Sequence, residues 1–101
     1  MKENEKIETF ETVWDALEAS PAEAAIKKLR ADLMIELRRQ IKERGLTQAQ
    51  AAKLFGVTQP RISDLQRGKL SLFGLNSLIS MAANAGQLIE LGLVETNSRA
   101  A

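Results

Sequence analysis

Gln59, Arg61, Ser63 and Asp64 bring an amide, a guanidinium, a hydroxyl and a carboxylate together within six residues. None of them has a partner of the kind that turns a hydroxyl into a nucleophile. As donors and acceptors, however, they match base edges. An amide pairs with adenine, a guanidinium with guanine, and a carboxylate with the cytosine amino group. Pro60, in the same run, offers only a steric or apolar contact. Groups suited to phosphate stand around them: Thr47 and Gln48 at one expected helix start, Thr58 at another, and Arg67 and Lys69 past the second helix. The set suits duplex DNA if a helix holds it outward. An ordinary solvated helix face is the alternative.

Composition narrows the classes further. The chain has 101 residues, about one domain, and contains no Cys, no His and no Tyr. Disulfides, thiolate chemistry and thiolate metal sites are excluded, and the commonest general base and metal ligand is missing. No nucleophile–base pair, phosphate loop or metal-ligand cluster can be read from the sequence, so no catalytic residue, metal or cofactor is expected and a binding module is favoured over an enzyme. The formal net charge of +1 conceals an asymmetry. Residues 1–18 hold six acids against two lysines, a net of −4, whereas residues 27–69 hold eleven Lys or Arg against four acids, a net of +7. An acidic end on a basic body suggests two partners, or a tail that masks the body. The start of the chain lacks the apolar run of a leader peptide, and the uncharged stretch 70–89 is too polar and too Gly-interrupted to span a bilayer. A soluble cytoplasmic protein is expected.

The elements that must position these groups follow from punctuation and period. Residues 1–8 have no period and are expected to be disordered. Phe10, Val13, Trp14 and Leu17 make one face of a short helix. Ser20, Pro21 and Glu23 form a capping box that opens a long helix with Ile26, Leu29, Leu33, Leu37 and Ile41 on its inner stripe, closed by Gly45. Its outer face carries Lys27, Lys28, Arg38, Arg39 and Lys42, and Arg38, Arg39, Lys42 and Arg44 are expected to extend the positive surface. Thr47 with Gln50 opens a short helix, small on its inner side at Ala49, Ala51 and Ala52, and Gly56 ends it. Thr58 caps the next helix, Pro60 fits its first turn, Ile62 and Leu65 face inward, and Gly68 closes it. A linker, Lys69–Gly74, has its own apolar residues and room for one helical turn. Leu75, Leu78, Ile79, Ala82 and Ala85 define a last helix ending at Gly86.

A small residue at Ala52, a turn glycine four places on, and Ile62 and Leu65 facing back are what a steep crossing of two short helices needs. The phrase LTQAQAAKLFGVTQPRISDLQRGK resembles the signature of the Cro-type, XRE (lambda-repressor-like) helix-turn-helix family, and the likeness covers about Leu33 to Gly86. The resemblance implies an all-α, five-helix helix-turn-helix domain that binds palindromic operators as a homodimer. It places Gln48 on phosphate and Gln59, Pro60, Arg61 and Asp64 on the recognition face.

The ends of the chain resemble a narrower group. FETVWDALEASPAEAAIKKLRADLM before the domain, and a short β-like tail after it, are similar to HigA-type antitoxins of toxin–antitoxin systems. That resemblance implies repression of the protein's own operon and neutralisation of a basic RelE-like, HigB-type toxin that cleaves messenger RNA. Phe10, Val13, Trp14 and Leu17, flanked by acids, fit an anchor for such a surface. Packing on the chain's own core, or on a dimer mate, is the alternative. Ile89, Leu91 and Leu93 alternate as a weak strand that needs a partner, for which the same strand of a second subunit is the natural choice; a frayed extension of the last helix is the alternative. The expected organisation is an acidic, partly disordered helical extension over residues 1–20, a DNA-binding domain over 21–87, and a tail over 88–101 that holds a dimerisation strand and then disorder. A phage-type or general regulator without a toxin, and an interaction module that has lost DNA binding, are the rival readings.

Overall fold

Ser20 opens the first helix with a complete capping box: its Oγ accepts from the Glu23 N–H at 3.1 Å, and Glu23 Oε1 accepts from the Ser20 N–H at 3.4 Å. The computed structural model describes residues 20–95. These comprise α1 (Pro21–Arg44), α2 (Gln48–Phe55), α3 (Gln59–Gln66), a 3-10 turn (Leu70–Leu72) and α4 (Leu75–Asn84). The segment Phe10–Leu17 and residues 96–101 lie outside the described residues.

Each helix ends on the same device. The N–H groups of Leu46, Val57, Lys69 and Gln87 reach back to the carbonyls of Ile41, Ala52, Asp64 and Ala82, closing a Schellman motif around a glycine with positive φ. The motif turns the chain sharply with little loop, which is why four α-helices fit into so short a stretch. It also drives Leu46 and Val57, the residues just past two of the glycines, onto the core.

The core lies where α1, α2, α3 and α4 converge. Leu37, Phe55, Ile62, Leu65, Phe73 and Leu78 are fully buried in it, with Met34, Ile41, Leu70 and Met81 beside them. No polar or charged residue is buried among the described residues. Ala52 and Ala51 are buried at the α2–α3 crossing, so the expected small-residue contact is present.

Several expectations are corrected. The inner stripe of α1 is Met34, Leu37 and Ile41, whereas Ile26 and Leu29 stay exposed at 49% and 45%. The reason is length: α1 is about 36 Å long and its first turns overshoot the domain. No apolar residue of α1 before Ala31 packs on the core. On α4, Met81 takes the inward place expected of Ile79, which is 39% exposed, and on α2 Ala49 faces solvent. The described residues hold four α-helices and a single 3-10 turn instead of five helices, because Gly68 and Gly74 leave Leu70–Leu72 room for only one turn. Residues 88–95 form no strand in this single chain, and Leu88, Leu91, Leu93 and Val94 are exposed. A lone strand has no ladder to join.

The tail is nevertheless tied down at its root. The Gln40 and Gln87 side-chain amides exchange two hydrogen bonds, at 2.9 and 2.7 Å, joining α1 to the residue after the last glycine. Among the described residues no helix is long and apolar enough to cross a membrane.

Candidate nucleic-acid interface

The turn from α2 into α3 is three residues long, Gly56-Val57-Thr58. Gly56 has φ +71 and ψ 35. Space favours glycine as well: a Cβ there would lie 2.5 Å from Asn84 Nδ2 on α4, and that side chain would have to shift. That amide donates to the Phe55 carbonyl at 3.0 Å, so α4 grips the end of α2 just where the chain turns. Thr58 then accepts the Arg61 N–H on its Oγ1 at 3.3 Å, and Pro60 sits in the first turn of α3 where no N–H is needed. Ile62 and Leu65 lock α3 from behind, both with no exposed surface.

The opposite face of α3 is left outward. Gln59 and Pro60 are exposed, and Ser63 and Asp64 are half-buried. Gln59, Ser63 and Gln66 follow one another at helical spacing and share one stripe. Gln66 is not among the residues expected from the sequence, although its position seven residues after Gln59 marks it. Its Oε1 accepts from Gln48 Nε2 at 3.1 Å, so the first residue of α2 is joined to the last of α3. The expected phosphate group Gln48 therefore sits at the edge of the recognition stripe. Thr47 is exposed at the start of α2, but its Oγ1 is engaged by the Gln50 N–H at 3.1 Å. For Thr47 and Thr58, whose hydroxyls both cap helices, the parts suited to a phosphate are the remaining N–H groups of the helix starts, which on α3 means Gln59, since Pro60 has none and that of Arg61 is taken by Thr58. Arg67 is exposed, and Lys69 lies 3.9 Å from Asp64.

Arg61 departs from the expectation of a freely presented base reader. Its Nη1 donates to the Leu72 carbonyl at 2.8 Å, and its guanidinium carbon lies 4.0 Å from the centroid of the Phe73 ring. In this arrangement Arg61 braces α3 against the 3-10 turn. Arg30 does the same from α1, donating through Nε to the Phe73 carbonyl at 2.9 Å and through Nη2 to the Leu70 carbonyl at 2.8 Å. The two arginines donate to three carbonyls of this segment; the Leu70 carbonyl also accepts the Phe73 N–H at 3.0 Å, so the turn closes on itself and the arginines tie it to α1 and α3. Nothing in the local sequence pattern pairs Arg30 with residues forty positions away.

Arg61→Ala is accordingly expected to cost about 1–2 kcal/mol of stability, one charged hydrogen bond and one cation–π contact. Thermal denaturation checks this, and an unchanged Tm would remove the brace.

The basic surface is smaller than the sequence suggests. Arg39 bonds Glu36 through Nε and Nη2, and Glu43 through Nη1 at 2.6 Å. The Arg39 hydrogen bond holds the Glu36 carboxyl below the usual carboxylate range, and the two acids raise the Arg39 guanidinium. A depressed carboxyl stabilises the fold at neutral pH and loses that contribution only as pH falls through its lowered value. Arg39 thus belongs to a solvent-exposed ion network on α1. Among the described residues no three acids cluster as a metal site would need.

The sequence model of the helix-turn-helix domain family matches residues 16–93, over three quarters of the chain. The chain belongs to the helix-turn-helix domain family. That membership agrees with the α2–Gly56–α3 geometry and makes the protein a DNA-binding regulator at the level of class. No curated protein matches the helix-turn-helix chain as a relative.

Proposed function

We propose that this helix-turn-helix protein is a sequence-specific repressor of XRE type that binds a palindromic operator as a homodimer. The observation that carries the reading is the outward stripe of α3, Gln59, Ser63 and Gln66, held rigid by Gly56 behind it and bordered by Gln48. Gln59, Ser63 and Asp64 would read base edges, Pro60 would make an apolar contact, and Arg61 would read a base only after leaving Leu72 and Phe73. The helix starts at Thr47 and Thr58, with Gln48, Arg67 and Lys69, would hold phosphates. Ile89, Leu91 and Leu93, unpaired in the single chain, would pair with a second copy.

We further propose that it is a HigA-type antitoxin acting in the cytoplasm, a binding protein and not an enzyme, which represses its own operon and neutralises a RelE-like toxin. The −4 charge of residues 1–18 and the apolar set Phe10, Val13, Trp14 and Leu17 support a basic protein partner.

Fluorescence anisotropy with duplex DNA from upstream of its own gene, against random duplex, tests the first reading. Tighter binding to the upstream duplex at moderate salt is expected, and equal or absent binding to both defeats it. Arg67→Ala should weaken both duplexes alike and flatten the slope of log affinity against log salt by about 1. Pull-down from the native host tests the second reading. Recovery of a small basic protein, lost on deleting residues 1–20, is expected. No such recovery leaves a general regulator without a toxin.

A further inference from the structure

The overshooting half of α1 carries an apolar stripe that the domain does not cover. Ala22, Ala25, Ile26 and Leu29 are exposed and succeed one another at helical spacing, running into half-buried Leu33. The stripe does not continue to the end of the helix. At Gln40 the paired amide of Gln87 closes it. A helix of this length with bare Ile and Leu on one face, and a domain packed on the other half, is built for one more element.

We propose that the occupant is the chain's own segment Phe10–Leu17, folded back antiparallel along the first turns of α1. Three observations select it. The first is reach. Only Glu18, Ala19 and Ser20 separate the segment from α1, and two antiparallel helices are commonly joined by two to five residues. Ser20 is extended, with φ −65 and ψ 161, so α1 does not continue upstream through it. The second is length. Eight helical residues span about 12 Å, and Leu29 lies the same distance along α1 from Pro21. Phe10 therefore falls near Leu29, with Trp14 and Leu17 nearer the turn beside Ile26 and Ala22. The alanines give a Trp ring room to approach. The third is charge. Residues 8–18 carry four acids and no base, and the first half of α1 carries Lys27, Lys28 and Arg30 against Glu23 and Asp32, a net of +1, with Lys28 already paired to Asp32 and Arg30 bonded to the 3-10 turn. The apolar match is the larger contribution, since exposed ion pairs contribute little.

This docking deepens the reading of the same residues as a partner-binding anchor, yet does not depend on it. A protein that captures Phe10–Leu17 would have to displace it from α1, so α1 competes with the partner for one apolar face.

Trp14 is the chain's single Trp, which makes the test direct. The full chain is uniformly isotope-labelled, and contacts between the Trp14 ring and the Leu29 and Ile26 methyls are sought by nuclear Overhauser effects. A mixture of labelled and unlabelled chains separates contacts within a chain from those between chains. Contacts within one chain, together with a blue-shifted Trp14 emission that reverts to that of a solvated indole in Leu29→Ser, support the proposal. Leu29 is nearly half exposed, so the variant keeps the folded domain, which its α4 and α3 amide shifts verify. Contacts only between chains overturn it in favour of a second copy. A solvated Trp14 in the wild-type chain, or an emission that Leu29→Ser leaves unmoved, overturns it outright.

Discussion

Phe73→Ala is expected to remove about 3–5 kcal/mol, a large part of the stability available to a domain of this size. Phe73 lies between the 3-10 turn and α4, outside every helix, yet has no exposed surface. Its ring fills the core, lies beneath Arg61, and its carbonyl accepts from Arg30. Removing the ring leaves a cavity and unseats Arg61 together. Phe73→Leu separates the two effects. It restores most of the apolar volume without an aromatic face, so the core should hold while the Arg61 contact is lost, for about 1 kcal/mol more than a volume-matched change. Chemical denaturation of both variants measures this. A Phe73→Ala chain within about 1 kcal/mol of wild type would mean that the 3-10 segment is not part of the core.

Gly56→Ala is the second large effect, expected at about 2–4 kcal/mol. Part of that is the left-handed backbone, which costs any L side chain about 1–2 kcal/mol. The rest comes from the Cβ meeting Asn84 Nδ2 and breaking its bond to the Phe55 carbonyl. Gly45 supplies the internal control, because it has φ +63 but nothing within 4 Å of an added Cβ. Gly45→Ala should therefore cost only the backbone share. In an Asn84→Ala background the cost of Gly56→Ala should fall to that of Gly45→Ala, since the clash and the bond have both gone. For a domain of this size the gap between the two single variants corresponds to several degrees in Tm. Equal costs at the two glycines, or simple additivity with Asn84→Ala, would remove the α4 grip from the account of the turn.

The parts of the fold that were legible in the sequence are those fixed by local chemistry. Ser20 with Glu23, Thr47 with Gln50, and Gly45 and Gly56 act through hydrogen bonds three to five residues apart, so their spelling suffices. Ala52, Ile62 and Leu65 followed because two short helices joined by a glycine have few ways to cross. What the pattern could not show was where a helix outruns its domain. Ile26 and Leu29 keep the period of Leu37 and Ile41, and nothing in that period says that the packed domain stops short of them. Long-range polar contacts were equally hidden. Arg30 and Arg61 look like surface cations until the carbonyls of residues 72 and 73 are seen to lie within their reach. The recognition stripe was read with Gln59 and Ser63 in place but without Gln66, whose bond to Gln48 depends on the crossing angle of α2 and α3.

The central claim is that the outer face of α3 meets duplex DNA. Mapping amide and side-chain amide shifts on adding DNA from upstream of the gene tests it in one measurement. The expected result is a footprint on Thr47, Gln48, Thr58, Gln59, Arg61 to Asp64, Gln66, Arg67 and Lys69, with Gln59 and Gln48 side-chain amides moving most. A footprint confined to α4 and the tail, or no change at saturating DNA, would contradict it.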